Sequence, residues 1–246
     1  MTDSRLILIT GGAGGIGHAL ATAFLEGGDR VVLLDRDAAT LEARAAELGV
    51  ACAAVDITDV AAVQSVVAAI VAQHGVPDVL VNNAGLLSLH GPVLGLAPSD
   101  YKQILDVNVV GTFTVLQAVA GAMVEAGVRG NIVNISSIGA SQPTPGMGGY
   151  ESSKAAVDAM TRWAAIELAA SGIRVNAVAP GPVLTPMMAL GMPEGSPMRE
   201  AWTSRIPLAG LAAPEDVAAA VAFVASESAR HLTGIVIPVD GGQLLV

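Results

Sequence analysis

Tyr150 and Lys154 are four positions apart in the segment Tyr-Glu-Ser-Ser-Lys. In a helix, residues i and i+4 share one face, so the ammonium of Lys154 would lie beside the hydroxyl of Tyr150. A free tyrosine ionises near pH ~10, and a nearby positive charge favours its phenolate. The pair could therefore move a proton near neutral pH, although an exposed helical turn with a solvated lysine has the same spacing.

A glycine-rich turn near the start of the chain is a second candidate site. Residues 10–17 read Thr-Gly-Gly-Ala-Gly-Gly-Ile-Gly, follow a predicted strand and lead directly into a helical pattern. Glycines permit a tight turn and let backbone N–H groups approach a pyrophosphate at the helix N-terminus. This strand–turn–helix context predicts a dinucleotide-binding turn.

The second predicted strand ends at Asp35, about 20 residues beyond the glycine turn, where an acidic residue can bind the adenosine ribose. Its carboxylate could accept hydrogen bonds from both ribose hydroxyls and would repel a 2′-phosphate. Arg36 argues in the other direction, because an arginine there could meet a 2′-phosphate. Since the glycine turn itself carries no basic residue, we predict NAD rather than NADP.

Alternating strands and helices must position these residues. Short apolar, β-branched runs predict strands at 6–10, 30–35, 51–56, 79–82, 131–136, 175–179 and 234–239. Ala-rich segments with helical periodicity lie between them, for example at 16–26, 38–48 and 60–74. Strands that are apolar on both faces and alternate with helices indicate a parallel sheet covered on each side. We therefore predict an α/β fold with about seven parallel strands, formed by residues 1–246 as one domain.

The composition predicts extensive apolar contact between subunits. The chain is 52% hydrophobic and 14% charged, with a mean hydropathy of +0.61. Residues 107–124 reach the lower limit of a membrane-spanning length, but polar residues such as Asn108 and Gln117 within them favour a buried helix of a soluble protein. Helices at 100–126 and 150–171, together with the apolar end 244–246, are therefore expected to contact other subunits.

Charge and cysteine content exclude several classes of protein. A net charge of −10 without a basic cluster argues against a nucleic-acid partner. The single cysteine, Cys52, rules out an internal disulfide and fits a reducing cytoplasm, and the N-terminal residues lack the pattern of a secretory signal. No metal site is expected, because the histidines are scattered without ligand spacing at His18, His74, His90 and His231.

Several motifs in the same order resemble the short-chain dehydrogenase/reductase family over essentially the whole chain. The glycine turn is similar to the family's cofactor turn, and Ser137 precedes Tyr150 by the family's 13-residue step. Further matching segments are Asn82-Asn83-Ala84-Gly85, Asp56-Ile57 and Pro180-Gly181 followed by Thr185. The resemblance implies a Rossmann fold with a doubly wound sheet, and tetramers are common in this family.

The resemblance also implies a catalytic tetrad of Asn108, Ser137, Tyr150 and Lys154. Tyr150 would be the general acid/base, and Lys154 would lower its pKa and hold the nicotinamide ribose. Ser137 would bind the substrate oxygen. Asn108 would lie in a helix irregularity and hold a water that connects Lys154 to solvent. Glu151 is unusual within this motif, and we expect it to point away from Tyr150.

Binding residues follow from the same resemblance. Cofactor contacts are expected from Gly11, Gly14, Gly15, Ile16, Gly17, Asp35, Arg36, Asp56, Ile57, Asn83, Ala84, Gly85, Tyr150, Lys154, Pro180, Gly181, Val183 and Thr185. The substrate pocket would draw on segments 86–93, 138–149 and 182–207, the last interpreted as an irregular, mobile flap. Its expected residues are Ser88, His90, Ser137, Gln142, Met147, Tyr150, Met187 and Met188.

The expected substrate is a secondary alcohol or ketone of moderate size. Basic residues in the pocket segments are confined to Arg199 and Arg205 in the flap, which disfavours a multiply charged substrate. One alternative is reduction of a 3-oxoacyl group on acyl carrier protein, for which Arg129 is the only suggestive docking residue. A second alternative is an NAD-binding sensor or scaffold without activity.

Overall fold

The structure is a computed structural model that describes residues 4–246, with the side chain of Met187 excepted. Its centre is a sheet of parallel strands in the order β3-β2-β1-β4-β5-β6-β7. The strands are β1 (Leu6–Thr10), β2 (Arg30–Asp35), β3 (Ala51–Ala54), β4 (Val79–Asn82), β5 (Asn131–Ile135), β6 (Arg174–Pro180) and β7 (Val236–Val239). The predicted seven-stranded parallel sheet is confirmed, with β3 two residues shorter and β7 starting two residues later than expected.

Helices cover both faces of the sheet. They are α1 (Gly15–Glu26), α2 (Ala38–Leu48), α3 (Val60–His74), α4 (Pro98–Leu105), α5 (Thr112–Ala126), α6 (Gly148–Leu168), α7 (Pro186–Gly191), α8 (Pro197–Thr203) and α9 (Pro214–Val224). Along β1, Ile7 belongs to the core cluster that contains residues of α1, α2 and α9, whereas Leu8 belongs to the cluster that contains residues of α3, α5 and α6. Because successive side chains of a strand point to opposite faces, each apolar strand contributes to both cores.

The strand order reverses next to β1, and this reversal locates the site. β1 pairs with β2 on one side and with β4 on the other, and the chain continues outward from each. In such sheets a crevice opens beyond the carboxyl ends of the strands at the reversal. Thr10 ends β1 and Asn82 ends β4, so the segments that follow them border this crevice.

The segment 182–207 is not irregular throughout, as the sequence analysis expected. It contains α7 and α8, and each helix begins with a proline at its first position. Proline is tolerated there because the first N–H groups of a helix have no partner within it. The hydroxyls of Thr185 and Ser196 accept hydrogen bonds from the first turns of these two helices, both at 3.3 Å.

A long helix runs from Pro98 to Ala126 and is interrupted by a π-helical stretch at Asp106–Gly111. Its length and composition would allow it to cross a membrane, but half of its most apolar window is buried in the fold. Val115, Val119 and Met123 lie in the core against the sheet. Its apolar character is therefore explained by packing within the fold.

Candidate active site

A cleft of about 460 Å³ opens at the carboxyl ends of the strands where the order reverses. The predicted cofactor residues that line it are Gly11, Gly14, Gly15, Ile16, Asp35, Arg36, Asp56, Ile57, Asn83, Ala84, Gly85 and Thr185. Six other predicted residues do not line it. Gly17 packs beneath the turn, Gly181 packs against Asp240, and Pro180 and Val183 are buried. Tyr150 and Lys154 belong to the predicted catalytic group beside the cleft. The cleft therefore gathers the glycine turn, the end of β2 and the segment after β4.

Hydrogen bonds join the glycine turn to the segment that follows β4. The hydroxyl of Thr10 accepts from the backbone N–H groups of Asn83 and Ala84, both at 3.0 Å. In return, the side-chain amide of Asn83 donates to the carbonyls of Thr10 and Gly11, also at 3.0 Å. Gly11 has a positive φ of 69°, and a Cβ there would lie 2.8 Å from the Asn83 amide nitrogen.

The N-terminus of α1 is shaped to receive an anion. Gly14 occupies the N-cap position and offers no side-chain acceptor to the first N–H groups of the helix. A Cβ at Gly17 would lie 2.2 Å from the Gly11 carbonyl oxygen, and one at Gly15 would lie 2.8 Å from Cδ of Pro186. Only glycine fits these two positions, and uncapped N–H groups at a helix start favour a phosphate. These residues fit a dinucleotide pyrophosphate.

Asp35 lines the cleft and also stabilises the glycine turn. Its Oδ2 accepts a hydrogen bond from the backbone N–H of Ala13, and its Oδ1 accepts one from Asp37, both at 3.1 Å. Each carboxylate oxygen has a further lone pair available for a ligand. The second strand thus presents its terminal acid directly beside the turn, as its spacing predicted.

Arg44 is a cleft residue that the sequence analysis missed. It lies on α2, lines the cleft together with Arg36, and forms an ion pair with Glu47 at 2.8 Å. Its position in the chain gives no motif, because only the packing of α2 against β2 brings it to the cleft. Two arginines therefore stand near Asp35, and they are the residues that could favour a 2′-phosphate.

Two of the four predicted catalytic residues, Lys154 and Asn108, meet beside Gly85, and Tyr150 and Ser137 adjoin them. A Cβ at Gly85 would lie 3.5 Å from Nζ of Lys154 and 3.6 Å from Oδ1 of Asn108. Nζ also donates a 2.7 Å hydrogen bond to the Ile135 carbonyl and lies 5.6 Å from the centroid of the Tyr150 ring. Ser137 follows β5 and acts as a hydrogen-bond partner of the Tyr150 phenol. The catalytic group therefore borders the cofactor cleft.

Asn108 lies in the π-helical stretch, which is the helix irregularity that the family resemblance implied. It is fully buried. Its side-chain nitrogen donates to the Leu86 carbonyl at 3.0 Å and to the Ser153 hydroxyl at 2.9 Å, while its oxygen accepts from the Leu86 N–H at 2.6 Å. The amide thus joins the segment after β4 to α6. A water held by Asn108 stays a prediction.

Burial is the main influence on the pKa of Tyr150 in this structure, and the expected lowering of that pKa by Lys154 stays a prediction. Burial raises the pKa of Tyr150 to about 12, the Ser137 hydroxyl opposes this shift, and the charge of Glu151 adds to it. The tyrosine nevertheless keeps part of its surface accessible. Burial also lowers the pKa of Lys154 to about 8, against the charge of Asp158, which raises it. A lysine that is partly neutral near that pH exerts a weaker field on the phenol.

The predicted substrate residues come from three loops that only partly converge. The Gly91 N–H donates to the Gly146 carbonyl at 2.9 Å, which joins the loop of Ser88 and His90 to the loop of Met147. Exposed positions are Ser88 and His90, and half-buried ones are Ser137, Met147, Tyr150 and Met188. The Met187 side chain lies outside the described part of the structure.

The side chain of Gln142 forms hydrogen bonds with two C-terminal residues. Its side-chain nitrogen donates to the Val246 carbonyl, and its oxygen accepts from the Gln243 side chain, both at 3.3 Å. Glu151 also differs from the expectation that it points away from Tyr150. Its side chain is buried, and its charge raises the pKa of Tyr150.

Comparison with known proteins identifies relatives over the full length of the chain. A family model described as enoyl-(acyl carrier protein) reductase matches residues 11–243. The 4-formylbenzenesulfonate dehydrogenase of Comamonas testosteroni is 37% identical, with 98% of each chain covered. Galactitol 2-dehydrogenase of Cereibacter sphaeroides is 39% identical over 98% of this chain and 95% of its own. The 3-oxoacyl-(acyl carrier protein) reductase of Thermotoga maritima is 38% identical over 99% of both.

Solved structures agree with these relatives. A xylitol dehydrogenase described as bound to NAD+ has a TM-score of 0.91 and 31% identity, with 98% of this chain and 100% of that chain covered. Other solved neighbours are described with NADH or with NADPH. Nicotinamide dinucleotides are thus common to these neighbours, but the particular nucleotide varies among them.

We expect Asp158 to keep Lys154 charged. Replacing Asp158 with Asn removes the negative charge that raises the pKa of Lys154, so the pKa should fall further below about 8. The chain has only two lysines, Lys102 and Lys154, so ¹³C-labelled lysine gives two NMR signals, with Lys102 as internal reference. Ser136→Ala is the control, because it removes a hydrogen bond to Asp158 and leaves the charge. An unchanged Lys154 midpoint in Asp158→Asn would contradict this prediction.

Proposed function

The chain belongs to the short-chain dehydrogenase/reductase family, and we propose that it interconverts a secondary alcohol and a ketone with NAD as cofactor and Tyr150 as general acid/base. The observation that carries this proposal is the meeting of Lys154 and Asn108 beside Gly85, at the edge of the dinucleotide cleft. The activity of an oxidoreductase on alcohols is also consistent with the relatives, which are named as dehydrogenases. We therefore prefer it to the alternative of an NAD-binding sensor without activity.

Tyr150 would give a proton to the ketone oxygen during reduction and take one from the alcohol during oxidation. With a pKa raised to about 12, the phenol is protonated at neutral pH, which is the form that reduction requires. Ser137 would hold the substrate oxygen and stabilise the charge that develops on it. When bound, the reduced cofactor NADH would supply a hydride to the ketone carbon, and the oxidised cofactor NAD+ would accept a hydride from the alcohol carbon. Lys154 would hold the cofactor ribose with its ammonium.

The choice of NAD over NADP rests on Asp35. The carboxylate at the end of β2 lies beside the glycine turn, where it can accept ribose hydroxyls and repel a 2′-phosphate. Arg36 and Arg44 line the same cleft and are the counter-argument. We weigh Asp35 more heavily because the glycine turn contributes no basic side chain, and because Arg44 is already paired with Glu47.

The proposed substrate is a neutral alcohol or ketone, largely apolar or polyhydroxylated. Support comes from the neutral side chains of segments 86–93 and 138–149, and from a galactitol dehydrogenase among the relatives. Segment 182–207 is proposed as the cover of this pocket, since Thr185 and Pro186 lie against Gly15 in the glycine turn. A panel of acids, sugars and alkyl alcohols would test the class, and oxidation of anionic substrates alone would reject it.

Reduction of a 3-oxoacyl group on acyl carrier protein is the second candidate. One observation favours it, in addition to the relative from Thermotoga maritima. Arg129 does not stand alone, because Arg174, Arg230 and His231 line the same surface depression, together with the acidic Glu227. Such a group could receive an acidic carrier, at the amino ends of β5 and β6 and thus at the opposite end of the sheet from the cleft. Rapid turnover of an acetoacetyl thioester, with NADPH preferred over NADH, would favour this candidate over the first.

We also propose a homotetramer. The faces of α5 and α6 form an apolar groove that includes Phe113 and Trp163, whose rings stack at 5.7 Å. Trp163 is 47% exposed and Ile166 is 79% exposed. Apolar surface of this kind is costly in water and typical of subunit contacts. Pairing of these helices between subunits would cover it.

Ile166→Glu should weaken this assembly. A charge on the apolar face would have to be buried on association, which is unfavourable. Light scattering should give a mass near four times 24.6 kDa for the wild type and a smaller mass for the variant. Val60→Glu on α3 is the control at another partly exposed position. A wild-type monomer at micromolar concentration would reject the proposal.

Asp35→Asn should reduce the preference for NAD. The amide keeps an acceptor for the Ala13 N–H but loses the charge that repels a 2′-phosphate. We expect the ratio of kcat/KM for NADH to kcat/KM for NADPH to fall by about tenfold or more. A tenfold change corresponds to about 1.4 kcal/mol in the relative stabilisation of the two cofactors. Asp37→Asn is the matched control, because Asp37 is an adjacent carboxylate that caps α2. Equal changes in both variants would reject the assigned role of Asp35.

Tyr150→Phe should abolish turnover while leaving NAD binding and stability nearly unchanged. The change removes the acid/base hydroxyl and keeps the ring, so packing is retained, and a loss of about 10² or more in kcat is expected for a general acid/base. The other tyrosine, Tyr101, lies on α4, and its hydroxyl contacts Ser152. Tyr101→Phe is therefore the matched control. Unaltered turnover in Tyr150→Phe would reject the proposed mechanism.

A further inference from the structure

Glu151 is a buried carboxylate directly after the proposed catalytic tyrosine. Its exposed fraction is 8%, although the first turn of a helix at the domain surface could place a glutamate in water at no cost. Burying a carboxylate is unfavourable unless it is hydrogen bonded. The contacts of the Glu151 side chain therefore show which part of the structure the buried carboxylate stabilises.

The first contact holds the apex of the loop that precedes α6. Oε1 of Glu151 accepts a 2.7 Å hydrogen bond from the backbone N–H of Thr144. Thr144 stands between Pro143 and Pro145, and proline has no N–H. The Thr144 amide is thus the only backbone donor of this Pro-Thr-Pro segment, and Glu151 uses it to attach the segment to α6.

The second contact lies at the other end of the same loop. A Cβ at Gly139 would be 2.8 Å from Cγ of Glu151, so the glutamate packs directly on the glycine backbone. The Gly139 N–H donates in turn to the hydroxyl of Ser137 at 3.1 Å. Glu151 therefore supports the short turn that orients Ser137.

The loop has a third attachment through the backbone. The Glu151 N–H donates to the Met147 carbonyl at 3.0 Å, and the Met147 N–H donates to the Thr144 carbonyl at 3.0 Å. One residue of α6 thus binds the loop through its main chain and its side chain. Residues 138–147 include two of the residues expected in the substrate pocket, Gln142 and Met147.

We propose that Glu151 is a positioning residue that fixes the shape of loop 138–147 and thereby the orientation of Ser137 and the substrate wall of the pocket. The effect on substrate rests on the proposed function, whereas the effect on the loop does not. The Tyr-x-x-x-Lys spacing alone assigns no role to the residue after the tyrosine, and the assignment comes from the contacts with Gly139 and Thr144.

Hydrogen exchange tests the loop directly and needs no turnover. In Glu151→Ala the Thr144 amide loses its acceptor, so we expect faster exchange in peptides that cover residues 138–147. Glu151→Gln keeps an acceptor oxygen of the same reach and should restore wild-type protection. Ser152→Ala, one position further along the helix, is the control. Unchanged exchange in Glu151→Ala would overturn the proposal.

Kinetics test the consequence for substrate. Glu151→Ala should raise KM for the alcohol and lower kcat by about tenfold each, because small misplacements of positioning groups are costly, while KM for NAD stays near wild type. Glu151→Gln should restore both parameters. Faster exchange with unchanged KM and kcat would overturn the role in substrate positioning and leave the role in the loop.

Two further outcomes can be distinguished from a failure of the proposal on Glu151. If the wild type turns over no alcohol or ketone, the proposed function fails, and the exchange data still decide whether Glu151 holds the loop. If Glu151→Ala does not fold, Glu151→Asp replaces it, since its carboxylate is one methylene too short to reach the Thr144 amide. The same faster exchange is expected, and wild-type protection in Glu151→Asp would overturn the proposal.

Discussion

The hydrogen bonds between Thr10 and the Asn83–Ala84 backbone are the interaction on which the rest of the site depends. They hold together two segments that leave neighbouring strands at the point where the sheet order reverses. The glycine turn, on one side, supplies the surface for a pyrophosphate. Gly85, on the other side, lines the cleft and lies next to Lys154 and Asn108. This connection therefore fixes the glycine turn relative to the segment that carries Gly85.

Helix α6 carries the proposed acid/base group, and buried polar contacts attach it to the sheet. The side chain of Asn82 on β4 donates to Asn134 on β5, and Asn134 donates to the Thr161 hydroxyl on α6, both at 2.9 Å. Lys154 adds a bond to the end of β5. Breaking such a contact leaves a buried polar group unpaired, which costs about 1–3 kcal/mol. The position of Tyr150 is therefore determined by polar contacts as well as by apolar packing.

Patterns local in sequence were the ones that could be interpreted before the structure was known. Apolar β-branched runs predicted the strands, and the strand–turn–helix context of the glycines predicted the cleft. Contacts between distant segments could not be predicted in this way. Arg44 reaches the cleft only through the packing of α2, and Glu151 meets Gly139 only because the loop folds back on α6. Burial, a property of the whole fold, is the largest influence on the pKa values of Tyr150 and Lys154, and it could not be predicted from the spacing of the two residues.

The close approach of Pro186 to Gly15 has a thermodynamic consequence. The start of α7 rests on the turn that would bind the pyrophosphate, and α7 also belongs to the segment proposed to cover the substrate. One short stretch of chain thus borders both ligands. If binding of one ligand moved this stretch and changed the affinity for the other by some factor, the second ligand would change the affinity for the first by the same factor, because linkage between two sites is reciprocal. The backbone could thus couple the two binding steps without any direct contact between the ligands.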